Sequence, residues 1–387
     1  MVARWPWWVR VLMVWALARG FSAWLTVLAG ASQADTPWSR SGASYIDMAD
    51  TWDAAFYREI HDHGYPAELP RSPSGEVLGS PWAFLPLYPA VVRAVTALTG
   101  LDWIHAAPMV STVASAAFVL VCYRLFSERA DAGTALTAVA AVSVWPTSPV
   151  MQFDYAESLA MLLVAVVVLL LSRGRFLLAT PVVVLAGLTR PIAAPLAAAV
   201  VLFAVLSWWA HRRAGRPLPI RSTAALVLLV VVSVAAVGLW PGVAASVSGE
   251  PDAYFLTEAA WHFGRSQLAT SHFLLSFMLL LGPVPGAAVA VAVVIALVIA
   301  VWSPPARALG AAMWAWSVAY LAYLVALVGW ETPVPRLLLL AFPLALPMVA
   351  ASRARPYRVL LVLSLAVLQV FWLFLVWRWV PWEQVAP

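Results

Sequence analysis

From residue 11 onward the chain repeats one pattern. An apolar run about as long as a bilayer is thick gives way to a few charged or turn-forming residues, and then another run begins. The runs at 11–30, 103–123, 130–145, 158–171, 176–188, 192–209, 222–243, 309–330, 337–351 and 359–376 read as membrane-crossing helices, since some 20 apolar residues span the hydrocarbon core. The run 273–302 is too long for one straight span and contains Gly282-Pro283-Val284-Pro285-Gly286. It predicts a short or broken helix followed by a span. The run 82–98 holds Pro86, Pro89 and Arg93. A helix lying along the membrane surface suits it better than a span, because Arg93 would otherwise sit at mid-bilayer. The pattern predicts an all-α polytopic membrane protein of about eleven transmembrane helices. One membrane domain is expected over 1–387. Its first outer loop, 31–102, carries interfacial helices, and a second outer loop covers 244–272.

A cleaved signal peptide is the alternative for the first thirty residues. Arg19 interrupts that run, which is long for a signal's apolar centre, so a retained helix is expected.

Composition sharpens this picture. Of 387 residues 63% are hydrophobic and 11% charged, far from the balance of a soluble domain. The net charge of +5 forms no continuous patch, which argues against a nucleic-acid partner. The basic residues are all arginine and sit in small groups between spans. With the N-terminus cytoplasmic and 82–98 at the surface, the Arg212, Arg213, Arg216, Arg221 group falls inside, and of the acids only Glu128 and Asp131 do. That is the positive-inside distribution. The absence of lysine and the heavy use of Ala and Val point to a bacterial plasma membrane. A lone Cys122 in an apolar run excludes a disulfide framework.

The densest polar chemistry lies at 52–65, where Trp52-Asp53 precedes Phe56, Tyr57, His61, Asp62, His63 and Tyr65, with Ala83-Phe84-Leu85-Pro86-Leu87-Tyr88-Pro89 following. Asp47, Asp50 and Asp53 are three apart, and in one helix they would share a face. Such a carboxylate acts as general base towards a hydroxyl, or is simply part of a solvated loop. Asp53 stands out because aromatic residues flank it and exclude water. His61 and His63 are two residues apart, off a common helix face, and no metal site is expected. Arg190 and Arg336 lie beside prolines at outer helix ends. A forked guanidinium there suits a phosphate, or snorkels to lipid headgroups.

The pattern Trp52-Asp53-x3-Tyr57-x2-Ile60-x3-Gly64-Tyr65, then Ala83-Phe84-x-Pro86-Leu87-Tyr88-Pro89, resembles the membrane mannosyltransferases that add the second mannose of glycosylphosphatidylinositol anchors (PIG-V-like) and their bacterial relatives. Pro146 with Tyr155-Ala156-Glu157-Ser158, Leu188-Thr189-Arg190-Pro191, the stretch from Gly249 through Trp261 to Arg265, and Pro335-Arg336 with Phe342-Pro343 continue the likeness in order. Ala156, where relatives carry serine, and His61, where they often carry a small residue, depart from it. The resemblance implies the GT-C fold and transfer of a sugar, usually mannose, from a polyprenyl-phosphate donor to a hydroxyl, with inversion, on the extracytoplasmic face. The acceptor is then a glycolipid or cell-envelope glycan, and no cofactor is implied. The base falls on Asp53, and substrate contacts on Trp52, Tyr57, Tyr88, Tyr155, Glu157, Arg190, Trp261, Arg265 and Arg336; His61 and His63 match no position of the family, and their own chemistry reads as hydrogen bonding to substrate or as part of a solvated loop. Two other readings remain open: a lipid or glycolipid transporter or flippase, for which a charge such as Arg19 within a span would speak, and a non-catalytic partner of another envelope enzyme.

Overall fold

The computed structural model describes residues 5–36, 39–261, 272–328 and 333–379. In chain order its α-helices are α1 (Trp7–Ala31), α2 (Tyr45–Ala49), α3 (Ala54–His63), α4 (Leu87–Thr99), α5 (Trp103–Ser127), α6 (Ala132–Ser143), α7 (Glu157–Ser172), α8 (Phe176–Gly187), α9 (Ala193–Arg213), α10 (Ile220–Ser248), α11 (Ala253–Trp261), α12 (His272–Leu281), α13 (Pro283–Trp302), α14 (Pro304–Arg307), α15 (Ala311–Leu327), α16 (Val334–Leu337), α17 (Ala345–Ala350) and α18 (Arg355–Trp372). Among the described residues there is no strand, only the isolated bridges Thr36–Ser39 and Arg71–Val77.

Helix falls within each expected span, but 337–351 is broken: Leu338–Leu344 is a 3-10 stretch with Ala341 outside the helical region, and α-helix resumes only at Ala345–Ala350. Among the described residues α1, α5, α9, α10, α13 and α18 with the π-turn after it are long and apolar enough to cross a bilayer. The stretches at α6, α7, α8, α15 and Val334–Ala350 are apolar but shorter. Helix α6, at 12 residues, rises only about 18 Å. It stops just ahead of Pro146 and Pro149, and the residue before a proline resists the helical region.

The segment expected to lie on the surface breaks in two. Pro81–Ala83 forms a 3-10 turn, Phe84 is extended, and α4 follows. The 13 residues of α4 rise about 20 Å, too short to span. Tyr88 and Val92 are buried while Arg93 is exposed. The long run 273–302 also splits as expected, into α12 and α13 around Gly282 at φ 90°. A Cβ on Gly286 would lie 2.3 Å from the Phe277 carbonyl oxygen, so only glycine lets this hairpin close.

The chain divides into two compact units, one of Met1–Ala55, Val91–Ala165 and Pro335–Pro387, the other of Phe56–Ala90 and Val166–Val334. In the first, α1 packs on α5 and α6, and α6 also meets α17 and α18. Arg19 is buried in the middle of α1. Its guanidinium donates to the carbonyls of Ser143 and Ser148 and, at 3.1 Å, to the Ser148 hydroxyl. Ser143 is the last residue of α6, so the charge meets the negative end of a helix dipole. Gln369 of α18 donates to the same Ser148 hydroxyl at 2.7 Å and accepts from Ser22 of α1 at 3.1 Å. Polar side chains thus pin three apolar helices where water cannot.

In the second unit α9 packs along α15 and α10, and α10 also packs on α8. An aromatic core closes the loop end. Trp82 stacks on Tyr65 at 4.6 Å and lies 5.3 Å from Trp240. The Trp240 indole donates to the Trp82 carbonyl at 3.1 Å, and the Trp82 indole to the Pro66 carbonyl at 3.1 Å.

Candidate functional site

The expectation that Asp47, Asp50 and Asp53 share one helix face does not hold, because α2 ends before the second of them. Asp47 caps its own helix: its Oδ2 accepts from the Ser44 hydroxyl at 2.7 Å and the Ser44 amide at 2.8 Å. Those bonds hold its carboxyl below the usual carboxylate range. Asp50 is the C-cap of α2 and accepts from the Trp103 indole at 3.1 Å. The backbone then turns at Trp52, where φ is 61°. A bulky residue in the left-handed region is strained. Two contacts hold it there. The Trp52 indole donates to the Trp377 carbonyl at 3.0 Å, and its ring stacks on Trp379 at 3.7 Å between centroids.

Asp53 is thereby presented just before α3. Its amide donates to the Tyr155 hydroxyl at 3.1 Å, and that hydroxyl donates to the Thr51 carbonyl at 2.8 Å. One phenol fastens both sides of the turn. Burial, and then the Asp53 carboxylate, push the Tyr155 phenol well above its ordinary value, so it remains a neutral donor. The segment before α7 is itself buried, with the Tyr155 carbonyl accepting from Ser111 at 2.9 Å.

Arg336 completes the group. Its Nη1 lies 2.7 Å from Asp53 Oδ2, and its Nε lies 3.4 Å from Glu157 Oε1. The guanidinium carbon sits 5.2 Å above the Tyr155 ring. The Pro335 carbonyl beside it accepts from the Trp145 indole at 3.2 Å and the Thr147 hydroxyl at 3.0 Å, which fixes the backbone from which Arg336 reaches. The side chains of Arg336 and Glu157 are 5% and 1% exposed, that of Asp53 19%. The accessible member of the cluster is therefore the aspartate. Two carboxyl groups face one guanidinium in a place poor in water. The more accessible carboxyl group is placed to accept a proton, and the guanidinium is a forked donor that matches a phosphate.

The structure brings together Trp52, Asp53, Tyr155, Glu157 and Arg336 from three distant parts of the sequence. The remaining expected residues, Arg265 apart, lie in the second unit. Tyr57 and Tyr88 are buried and pack edge to face at 5.3 Å, with Phe84 edge-on to Tyr57 at 5.4 Å. Phe84 in turn stacks on Phe56 at 4.8 Å. His61 Nδ1 meets Asp62 Oδ1 at 2.7 Å, and His63 is exposed at the end of α3. Trp261 stands edge-on to Phe56 at 4.8 Å, and a Cβ on Gly79 would come within 2.9 Å of its ring. Arg190 is buried. Both it and Glu258 of α11 are within electrostatic reach of Tyr323. Arg265 lies outside the described residues. Among the described residues no three of His, Cys, Asp and Glu converge as metal ligands would.

Sequence reasoning missed several residues. Thr51, Trp377 and Trp379 hold the turn, and nothing in their own sequence context marks them. Glu258 did carry a signal, as an acid inside the apolar stretch Ala253–Trp261.

No protein-family model matches the chain, and no curated protein sequence does. Solved structures resemble it. ArnT from Cupriavidus metallidurans bound to undecaprenyl phosphate is 15% identical with a TM-score of 0.50, over 88% of this chain and 60% of that one. The Archaeoglobus fulgidus oligosaccharyltransferase in complex with Zn and sulfate is 14% identical with a TM-score of 0.50, over 93% of this chain and 53% of that one. The chain thus spans between half and two thirds of these proteins' length. At such identities the likeness is one of fold: the chain is an all-helical integral membrane protein with the GT-C fold.

Proposed function

We propose that this protein is a membrane glycosyltransferase that moves a sugar from a polyprenyl-phosphate donor to a hydroxyl of a lipid-linked or cell-envelope acceptor, on the extracytoplasmic face. Within that class the sequence resemblance favours a PIG-V-like enzyme and mannose as the sugar. The observation that carries the reading is the ion pair between buried Arg336 and the more accessible Asp53.

The reaction follows from that pair. The acceptor hydroxyl attacks the anomeric carbon from the side opposite the phosphate, so configuration inverts. As the new C–O bond forms, the hydroxyl proton passes to an Asp53 oxygen. The old bond from the anomeric carbon to oxygen breaks, and its electron pair stays on the polyprenyl phosphate, which gains negative charge. Protonation of Asp53 removes one counter-charge from Arg336 at that same moment. The guanidinium is then free to turn towards the phosphate, and its donors strengthen as the transition state develops. Glu157 keeps hold of Nε throughout and orients the fork. Tyr155 and Trp52 position the aspartate rather than touch the sugar.

The test incubates membranes containing the protein, or its Asp53→Asn form, with labelled polyprenyl-phosphate mannose and with the matching glucose donor, together with a lipid extract as acceptor. Label should reach the extract from the mannose donor only with the unaltered protein. Transfer from neither donor by folded protein would sink the enzymatic reading, and transfer from glucose alone would refute the PIG-V-like assignment while leaving the reaction class intact.

A further inference from the structure

In the second unit, the hairpin of α9 and α10 holds a cavity of about 630 Å³, within the size range of small-molecule sites. Its walls are apolar, with Trp208, Val227 and Val231 among them, and its polar groups, His211, Arg212 and Thr223, gather where residues 214–219 join the helices. Gly215 turns the chain there at φ 64°. The Arg216 amide donates to the His211 carbonyl at 3.1 Å, closing the turn. His211 Nδ1 lies 2.7 Å from the Ser207 carbonyl. A carbonyl only accepts, so Nδ1 carries the proton and Nε2 is the acceptor, suited to a ligand hydroxyl rather than to a phosphate oxygen.

We infer that this cavity binds one anionic phospholipid of the surrounding membrane, its acyl chain between α9 and α10, its phosphate at Arg212 and a headgroup hydroxyl donating to His211. Three observations carry this. The helices on both sides are membrane spans by length and composition, and an apolar gap between spans that faces the bilayer fills with hydrocarbon, not water. The charge at its mouth is of one sign. Arg212, Arg213, Arg216 and Arg221 lie within ten residues, and from Ser158 to Gly249 the sequence contains no acidic residue. A basic mouth on an apolar slot is the complement of an anionic headgroup on a chain. The third is the indole pair: Arg212 lies 5.1 Å over Trp208 and Arg213 lies 3.7 Å over Trp209. That is the interfacial arrangement of amphipathic rings and cations at headgroup level.

The experiment takes the full chain, delipidated in detergent, and measures by native mass spectrometry the retention of phosphatidylglycerol against phosphatidylcholine with the same acyl chains. One phosphatidylglycerol should bind about tenfold more tightly than phosphatidylcholine. Arg212→Gln should erase that preference, whereas Arg40→Gln should keep it. Val227→Trp should block the slot and lower retention of both lipids; if that variant does not fold, the Arg212→Gln comparison still decides. Equal retention of the two lipids, or an unchanged preference in Arg212→Gln, would overturn the site. Displacement of phosphatidylglycerol by equimolar polyprenyl phosphate would overturn the choice of occupant. None of these outcomes bears on glycosyl transfer.

Discussion

Two arginines are buried in the same unit, Arg19 and Arg336, and they are satisfied in opposite ways. Arg19 is held by neutral oxygens, the Ser143 and Ser148 carbonyls and the Ser148 hydroxyl. Arg336 is held by two carboxylates. A charge embedded in fixed dipoles has nothing to exchange, since carbonyls do not titrate. A charge balanced by acids is released whenever one of those acids takes a proton. The first arrangement builds structure, and the second can be switched by chemistry. This also weakens the transporter reading that Arg19 suggested, because its partners belong to helix packing.

Activity and stability should therefore separate between the two sites. The largest effect is expected at Asp53. Asp53→Asn keeps the shape and one acceptor oxygen, yet removes the proton acceptor, so turnover should fall about 100-fold or more, with an unfolding temperature close to the parent's. Single-turnover assays beside thermal unfolding in detergent decide it; turnover within a few-fold of the parent would place the base elsewhere.

Arg19→Leu should do the reverse. It strands buried carbonyls and costs about 2–4 kcal/mol of stability, while the protein that remains folded transfers sugar at the parent's rate. A loss of rate in the folded fraction would erase the distinction between the two arginines.

Smaller in effect, Arg336→Lys keeps a positive charge opposite both acids but loses the fork, so kcat/KM for the donor should drop about tenfold. An unchanged value at low donor concentration would show that no phosphate uses that fork. Smallest is Tyr155→Phe. Losing the hydroxyl that ties the Asp53 amide to the Thr51 carbonyl removes two hydrogen bonds, each of about 0.5–1.5 kcal/mol. Melting should come a few degrees earlier and transfer should be a few-fold slower. A faster variant would mean that the phenol restrains Asp53 instead of aiming it.

Much of this fold was legible in the sequence, because the bilayer imposes its thickness on the chain. The apolar runs, the break at Gly282 and the unsuitability of 82–98 as a span all follow from local residue order. At the site, the aromatic surroundings of Asp53 and the arginine beside Pro335 were visible, but their meeting was not. It depends on α7, α16 and the turn after α2 converging, and no local pattern encodes that. Asp47 shows how a spacing rule fails. Three-residue intervals matter only if one helix continues, and Ser44 with Asp47 starts a helix of five residues that ends at Asp50. Trp379 was invisible for a simpler reason: its partner in the stack is Trp52, at the other end of the chain.

That pairing bears on how the protein is made. Trp52 leaves the ribosome early, but the carbonyl and ring that hold its backbone belong to residues 377 and 379. At about 5–20 residues per second, roughly 16–65 s separate the two. Until then the turn that carries Asp53 has only the Tyr155 phenol to hold it. The candidate centre is thus assembled after α18 is in place, so a chain stalled in the translocon has no finished site to engage a donor lipid.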